Sequence, residues 1–88
     1  MKKSKYPPYR AHSTLSALPP GRWATVLNVL GPGLFSLRLM EMGLVPGASI
    51  SVVRTAPLGD PLQIKLRDYH LALRRTEAEM IKVTLDGD

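Results

Sequence analysis

Two histidines, seven carboxylates and no cysteine are the stock from which this 88-residue chain could build a reactive centre. A nucleophile needs a base within reach and a third group to orient that base. His12 lies in a basic N-terminal stretch, His70 lies in the pattern of a hairpin, and no motif gathers Ser, His and Asp. Imidazole and carboxylate would suit a first-row transition metal. Glu41, Asp60, His70 and Glu77 could serve, yet no two stand at a ligand spacing such as H-x-x-x-H. The absence of cysteine removes disulfides, thiolate metal sites and Cys nucleophiles. Gly31-Pro32-Gly33 precedes a helical pattern and could cradle an anion, but it lacks the Lys and Ser/Thr of a phosphate loop. It reads as a break between strand and helix. The expectation is a chain with no catalytic residues, no resident metal and no cofactor. Adventitious zinc or iron would find His12, His70 or a carboxylate.

What remains is binding by surface. Phe35, Leu39, Met42, Ile50, Val52, Leu62 and Ile64 fall on regular apolar periods and read as core. Leu37, Met40, Leu44 and Leu58 do not fit those periods. Apolar residues left over on a small domain mark a contact surface. Arg38, Arg54, Arg74 and Arg75 are placed to rim it, since arginine is favoured at interfaces. Leu58 stands out, because it occupies the tip of Pro57-Leu58-Gly59-Asp60-Pro61, a loop stiffened by two prolines.

The elements that must position these residues are short. Arg22 to Leu30 reads as a first strand ending at Gly31. Leu34 to Met42 switches to helical period and stops at Gly43. Pro46-Gly47 suits the centre of a type II turn. Ala48 to Thr55 is a second strand. Leu62, Ile64 and Leu66 alternate with Gln63, Lys65 and Arg67 in a third. A tight turn at Arg67-Asp68 leads to Tyr69–Leu73. Thr76-Glu77-Ala78-Glu79 fits a capping box for one helical turn. Ile81, Val83 and Leu85 alternate in a closing strand. Thr14 or Ser16 can cap a very short turn before Pro19. The fold expected is mainly β: a small five-stranded barrel with one inserted helix after the first strand and a helical turn before the last.

Composition agrees. Apolar residues are 44% of the chain, enough for a modest core in one small domain. The net charge of +5 is concentrated in Lys2, Lys3, Lys5 and Arg10, so the body is nearly neutral. Residues 1–13 read as a basic arm, 14–85 as the domain and 86–88 as a frayed end. No stretch approaches the ~18 apolar residues of a membrane span, and no apolar run follows the N-terminal lysines as a secretory signal requires. A cytoplasmic chain without membrane insertion is expected.

The motifs then resemble a family. Arg38-Leu39-Met40-Glu41-Met42-Gly43-Leu44-Val45-Pro46-Gly47 is similar to the RL-x-x-MGL-x-PG signature of the ferrous-iron transport A (FeoA) family. Ala56-Pro57-Leu58-Gly59-Asp60-Pro61 matches its APLGDP loop, and Leu71-Ala72-Leu73-Arg74 with Glu77-Ala78 resembles its closing segment. Asp68 stands where that family usually has Gly; Asp tolerates the left-handed region better than most residues. The resemblance covers about Leu15 to Val83 and does not reach the arm. It implies an SH3-like barrel, no enzymatic activity, and a cytoplasmic accessory role beside FeoB, the membrane GTPase that imports Fe(II). The partner implied is that transporter's cytosolic region, and the leftover apolar and arginine residues are the candidate contacts. Self-association through them stays open. The competing reading is a nucleic-acid-binding or metal-dependent transcriptional regulatory module of the same shape. The strands carry too few aromatics beside basic residues for nucleic acid to be the expected partner.

Overall fold

The computed structural model describes residues 12–85. Six strands form one antiparallel sheet in the order β1-β6-β2-β3-β4-β5. They are β1 His12–Thr14, β2 Trp23–Val29, β3 Ser49–Thr55, β4 Leu62–Leu66, β5 Tyr69–Leu73 and β6 Ile81–Leu85. Helix α1, Gly33–Glu41, is inserted after β2, and the four-residue α2, Arg75–Ala78, precedes β6. A 3-10 turn at Leu15–Ala17 follows β1.

The expected count of five strands is therefore corrected to six. The addition is β1, three residues paired to β6 with Ser13 opposite Val83. A strand this short has no readable period; its partner 70 residues away makes it one. The boundary drawn between residues 13 and 14 falls inside β1, and the rest of the basic arm and the frayed end lie outside the described residues. Neither Thr14 nor Ser16 caps the 3-10 turn; the two hydroxyls bond each other at 2.8 Å.

The core is built by alternation. Ala24 and Val26 of β2, Ile50 and Val52 of β3, Leu62, Ile64 and Leu66 of β4, and Ile81 and Val83 of β6 are all buried. Two bulges interrupt the pattern, between Val26 and Asn28 and between Val52 and Arg54. Each adds a residue that the partner strand does not match, and the extra residues, Leu27 and Val53, are exposed.

Helix α1 packs Leu39 into the core, with Phe35 and Met42 half-buried against it. The same period turns Leu34, Leu37 and Met40 outward. Its end explains one neighbour. The Gly43 N–H bonds the Met40 carbonyl at 2.9 Å and the Leu44 N–H bonds the Leu39 carbonyl at 3.2 Å. With Gly43 at φ 102°, this is a Schellman cap, which brings the residue after the glycine against the helix's last inward residue. Leu44 is accordingly fully buried beside Leu39.

Candidate docking surfaces

The loop after β3 is a tied structure. The Gly59 N–H donates to the Ala56 carbonyl at 2.7 Å, and the Ala56 N–H donates to the Pro61 carbonyl at 3.0 Å. The Asp60–Pro61 peptide is cis. Arg75 then clasps the loop to two other segments. Its Nε donates to the Gly59 carbonyl at 2.8 Å and its Nη1 to the Ser16 carbonyl at 3.0 Å. Its own backbone N–H donates to Asp60 Oδ1 at 2.9 Å. That last bond satisfies one of the free N–H groups that begin α2. The result holds Leu58 out at 96% exposure.

Helix α2 is started by Arg74 and Glu77. The Arg74 N–H donates to Glu77 Oε1 at 2.8 Å, and the Glu77 N–H donates to the Arg74 carbonyl. The expected capping box at Thr76–Glu79 is thus corrected by two residues. The arginine before the helix supplies no acceptor side chain, so Glu77 caps by reaching back to the backbone. Glu77 Oε2 also lies 3.9 Å from Arg38 Nη2. This pair links α1 to α2 at the surface, where such contacts contribute ~0–1 kcal/mol.

The structure sorts the eight expected contact residues into four places. Leu37, Arg38 and Met40 are exposed on α1, beside Leu34 at 83%. Leu58, Arg74 and Arg75 belong to the loop and α2. Arg54 stands apart on the outer face of β3, with its Nε donating to Gln63 Oε1 at 3.1 Å. Leu44 is corrected outright: it is core, for the capping reason given above. Arg75 is corrected in part, since its guanidinium bonds the protein's own carbonyls and a partner would have to compete for it. The sequence reading missed Leu34, Leu30 and Met80 as exposed apolar residues. Leu34 had a signal, because it shares the outward face with Leu37. Leu30 and Met80 had none, being brought together across the fold, where the Leu30 N–H bonds the Met80 carbonyl at 2.7 Å.

The expected left-handed residue is corrected as well. In the β4–β5 turn it is Arg67, at φ 56°, and Asp68 is not left-handed. Among the described residues, no group of three or more His, Asp or Glu is placed to hold a metal. No described helix is long and apolar enough to cross a membrane.

A family model, the FeoA domain, matches residues 13–85. This chain belongs to the FeoA family. An FeoA/FeoB fusion protein of Porphyromonas gingivalis is 45% identical over 71 residues, 81% of this chain but 8% of the fusion's length. The solution structure of FeoA from Chlorobium tepidum is 43% identical, covers 86% of this chain and 73% of its own, and superposes with a TM-score of 0.80. FeoA of Stenotrophomonas maltophilia, solved with zinc and described as an SH3 domain protein, is 33% identical, covers 84% and 89%, and has a TM-score of 0.70. The fold is SH3-like, and the family is one of ferrous iron transport. A manganese-dependent repressor superposes at a TM-score of 0.79 with 15% identity, a likeness of fold alone.

Proposed function

We propose that this FeoA protein is a docking module, which binds the cytosolic region of a FeoB-type Fe(II) transporter and assembles or modulates it without chemistry of its own. The observation that carries the reading is Leu58: an apolar side chain almost fully exposed, on a loop tied by Arg75 and Asp60. A loop already held in one shape loses little freedom on binding. Exposed Leu34, Leu37 and Met40 on α1 supply a second apolar area, with Arg38 between it and α2. The Porphyromonas fusion, in which an FeoA part and an FeoB part share one chain, supports that partner. Such a partner would hold the chain at the cytoplasmic face of the membrane. Resident metal and nucleic acid have no part in this reading.

The test is Leu58→Ala, with Leu37→Ala as companion, measured for binding to the transporter's recombinant cytosolic domain and for melting temperature. Truncating an exposed anchor costs affinity while leaving stability nearly unchanged. Binding reduced about tenfold or more at an unchanged melting temperature is the expected result. Unchanged binding by both variants refutes it.

A further inference from the structure

Strand β5 ends the sheet order, and no described strand pairs with its outer side. Its register determines what that side offers. β4 and β5 are joined by the two residues Arg67 and Asp68, with Leu66 opposite Tyr69. A two-residue hairpin closes on a hydrogen-bonded pair, and such pairs alternate with non-bonded ones along an antiparallel ladder. Leu66–Tyr69, Ile64–Leu71 and Leu62–Leu73 are then the bonded pairs. His70 and Ala72, opposite Lys65 and Gln63, direct their N–H and C=O groups away from β4. An edge with its backbone groups open is a template for another strand.

Beside this edge lies an open groove of about 680 Å³. It is lined by Arg54 and Gln63 on the outer sheet face, His70 and Ala72 of β5, and Pro57 and Pro61 of the clasped loop. The bulge at Val53 aligns Arg54 with Gln63, and their hydrogen bond holds the guanidinium over the groove. Among the described residues no carboxylate lines it, and Lys65 stands opposite His70 on the neighbouring strand.

We propose that the β5 edge and this groove take an acidic, extended segment of a partner protein, added as a seventh strand. The backbone of His70 and Ala72 supplies the ladder, the groove takes alternate side chains, and Arg54 reads a carboxylate. Charge decides the occupant. The chain's own first ten residues carry four basic groups and no acid, so they are repelled. A second copy paired edge to edge would present its own Tyr69–Leu73, which carries no acid for Arg54 to meet. The proposal rests on reading the chain as a docking module, and it adds the chemistry of what docks.

The experiment is an amide NMR titration of the full chain with an acetylated eight-residue peptide alternating Val and Glu. The same peptide with Lys for Glu and an oligo-dT of ten nucleotides serve as comparison probes. Shifts confined to Arg54, His70, Leu71 and Ala72 with the acidic peptide alone are expected. Ala72→Pro removes an outward N–H while sparing the ladder to β4, and Arg54→Glu reverses the reading charge. Each should weaken peptide binding about tenfold or more, equivalent to ~1.4 kcal/mol. Arg54→Glu alters an exposed side chain and remains informative if the proline variant does not fold. No shifts with the acidic peptide, equal shifts with the lysine peptide, or shifts with oligo-dT alone overturn the proposal. So does unchanged peptide affinity in a folded Arg54→Glu. Failure of the wild-type chain to bind the transporter's cytosolic domain, with the peptide result intact, overturns the choice of partner and leaves the groove standing.

Discussion

Replacing Arg75 by Ala should destabilise this protein measurably, because its side chain ties two distant segments together. The guanidinium is half-buried and donates to the Gly59 and Ser16 carbonyls at 2.8 and 3.0 Å. Hydrogen bonds from a charged donor are worth ~1.5–3 kcal/mol each when well shielded. Partial exposure places these at or below the lower end, so the two together come to ~2–3 kcal/mol. The third tie, from the Arg75 N–H to Asp60, is backbone and survives the substitution. For a domain of this size each kcal/mol moves the midpoint by ~4–8 °C, so a fall of roughly 10–20 °C is expected. Thermal unfolding measures the shift, and urea denaturation followed by the emission of Trp23, the chain's one tryptophan, measures the free-energy loss. Arg75→Lys should recover no more than about half, because an ammonium lacks the planar fork that spans two carbonyls. A loss below about 0.5 kcal/mol for Arg75→Ala would refute the clasp. Full rescue by lysine would show that charge alone suffices.

Leu44→Ala should cost ~2–5 kcal/mol, the usual range for a buried leucine, and chemical denaturation of that variant would return Leu44 to the surface if the loss were negligible. Arg67→Gly should stabilise by about 0.5–1 kcal/mol, since a left-handed conformation strains any residue with a Cβ and Arg67 sits at φ 56°; a lower melting temperature would contradict this. Truncation after residue 13 should cost about 1 kcal/mol more than truncation after residue 11, because only the former removes His12 and Ser13 from their pairing with β6. Equal stabilities would mean that β1 contributes nothing.

Much of this protein was legible as a pattern along the chain. The alternation of Leu62, Ile64 and Leu66, the i, i+4, i+7 set Phe35, Leu39 and Met42, and the glycine after Met42 each report a local periodicity. Local periodicity is a consequence of backbone geometry, so it survives without knowledge of the partner. The turn Val45–Ala48 was legible for the same reason: Gly47 takes φ 92° and the Ala48 N–H bonds the Val45 carbonyl at 3.0 Å. The exposure of Leu37, Met40 and Leu58 followed from their misfit to those periods. Leu44 shares that misfit and is nonetheless core, because a chain reversing through a Schellman cap buries by position in the cap.

Only the tertiary structure decided the rest. The bulges at Leu27 and Val53 reset which residues face out, and a bulge is defined by two strands together. β1 exists because β6 accepts it. Arg75 reads as any surface arginine until Ser16, 59 residues away in the chain, is brought to its guanidinium. The same holds for the groove, whose lining comes from β3, β4, β5 and the loop between the first two. A sequence records what each segment requires of its surroundings. It does not record which distant carbonyl, carboxylate or open strand edge will meet that requirement, because those pairings appear only once the sheet has closed its register.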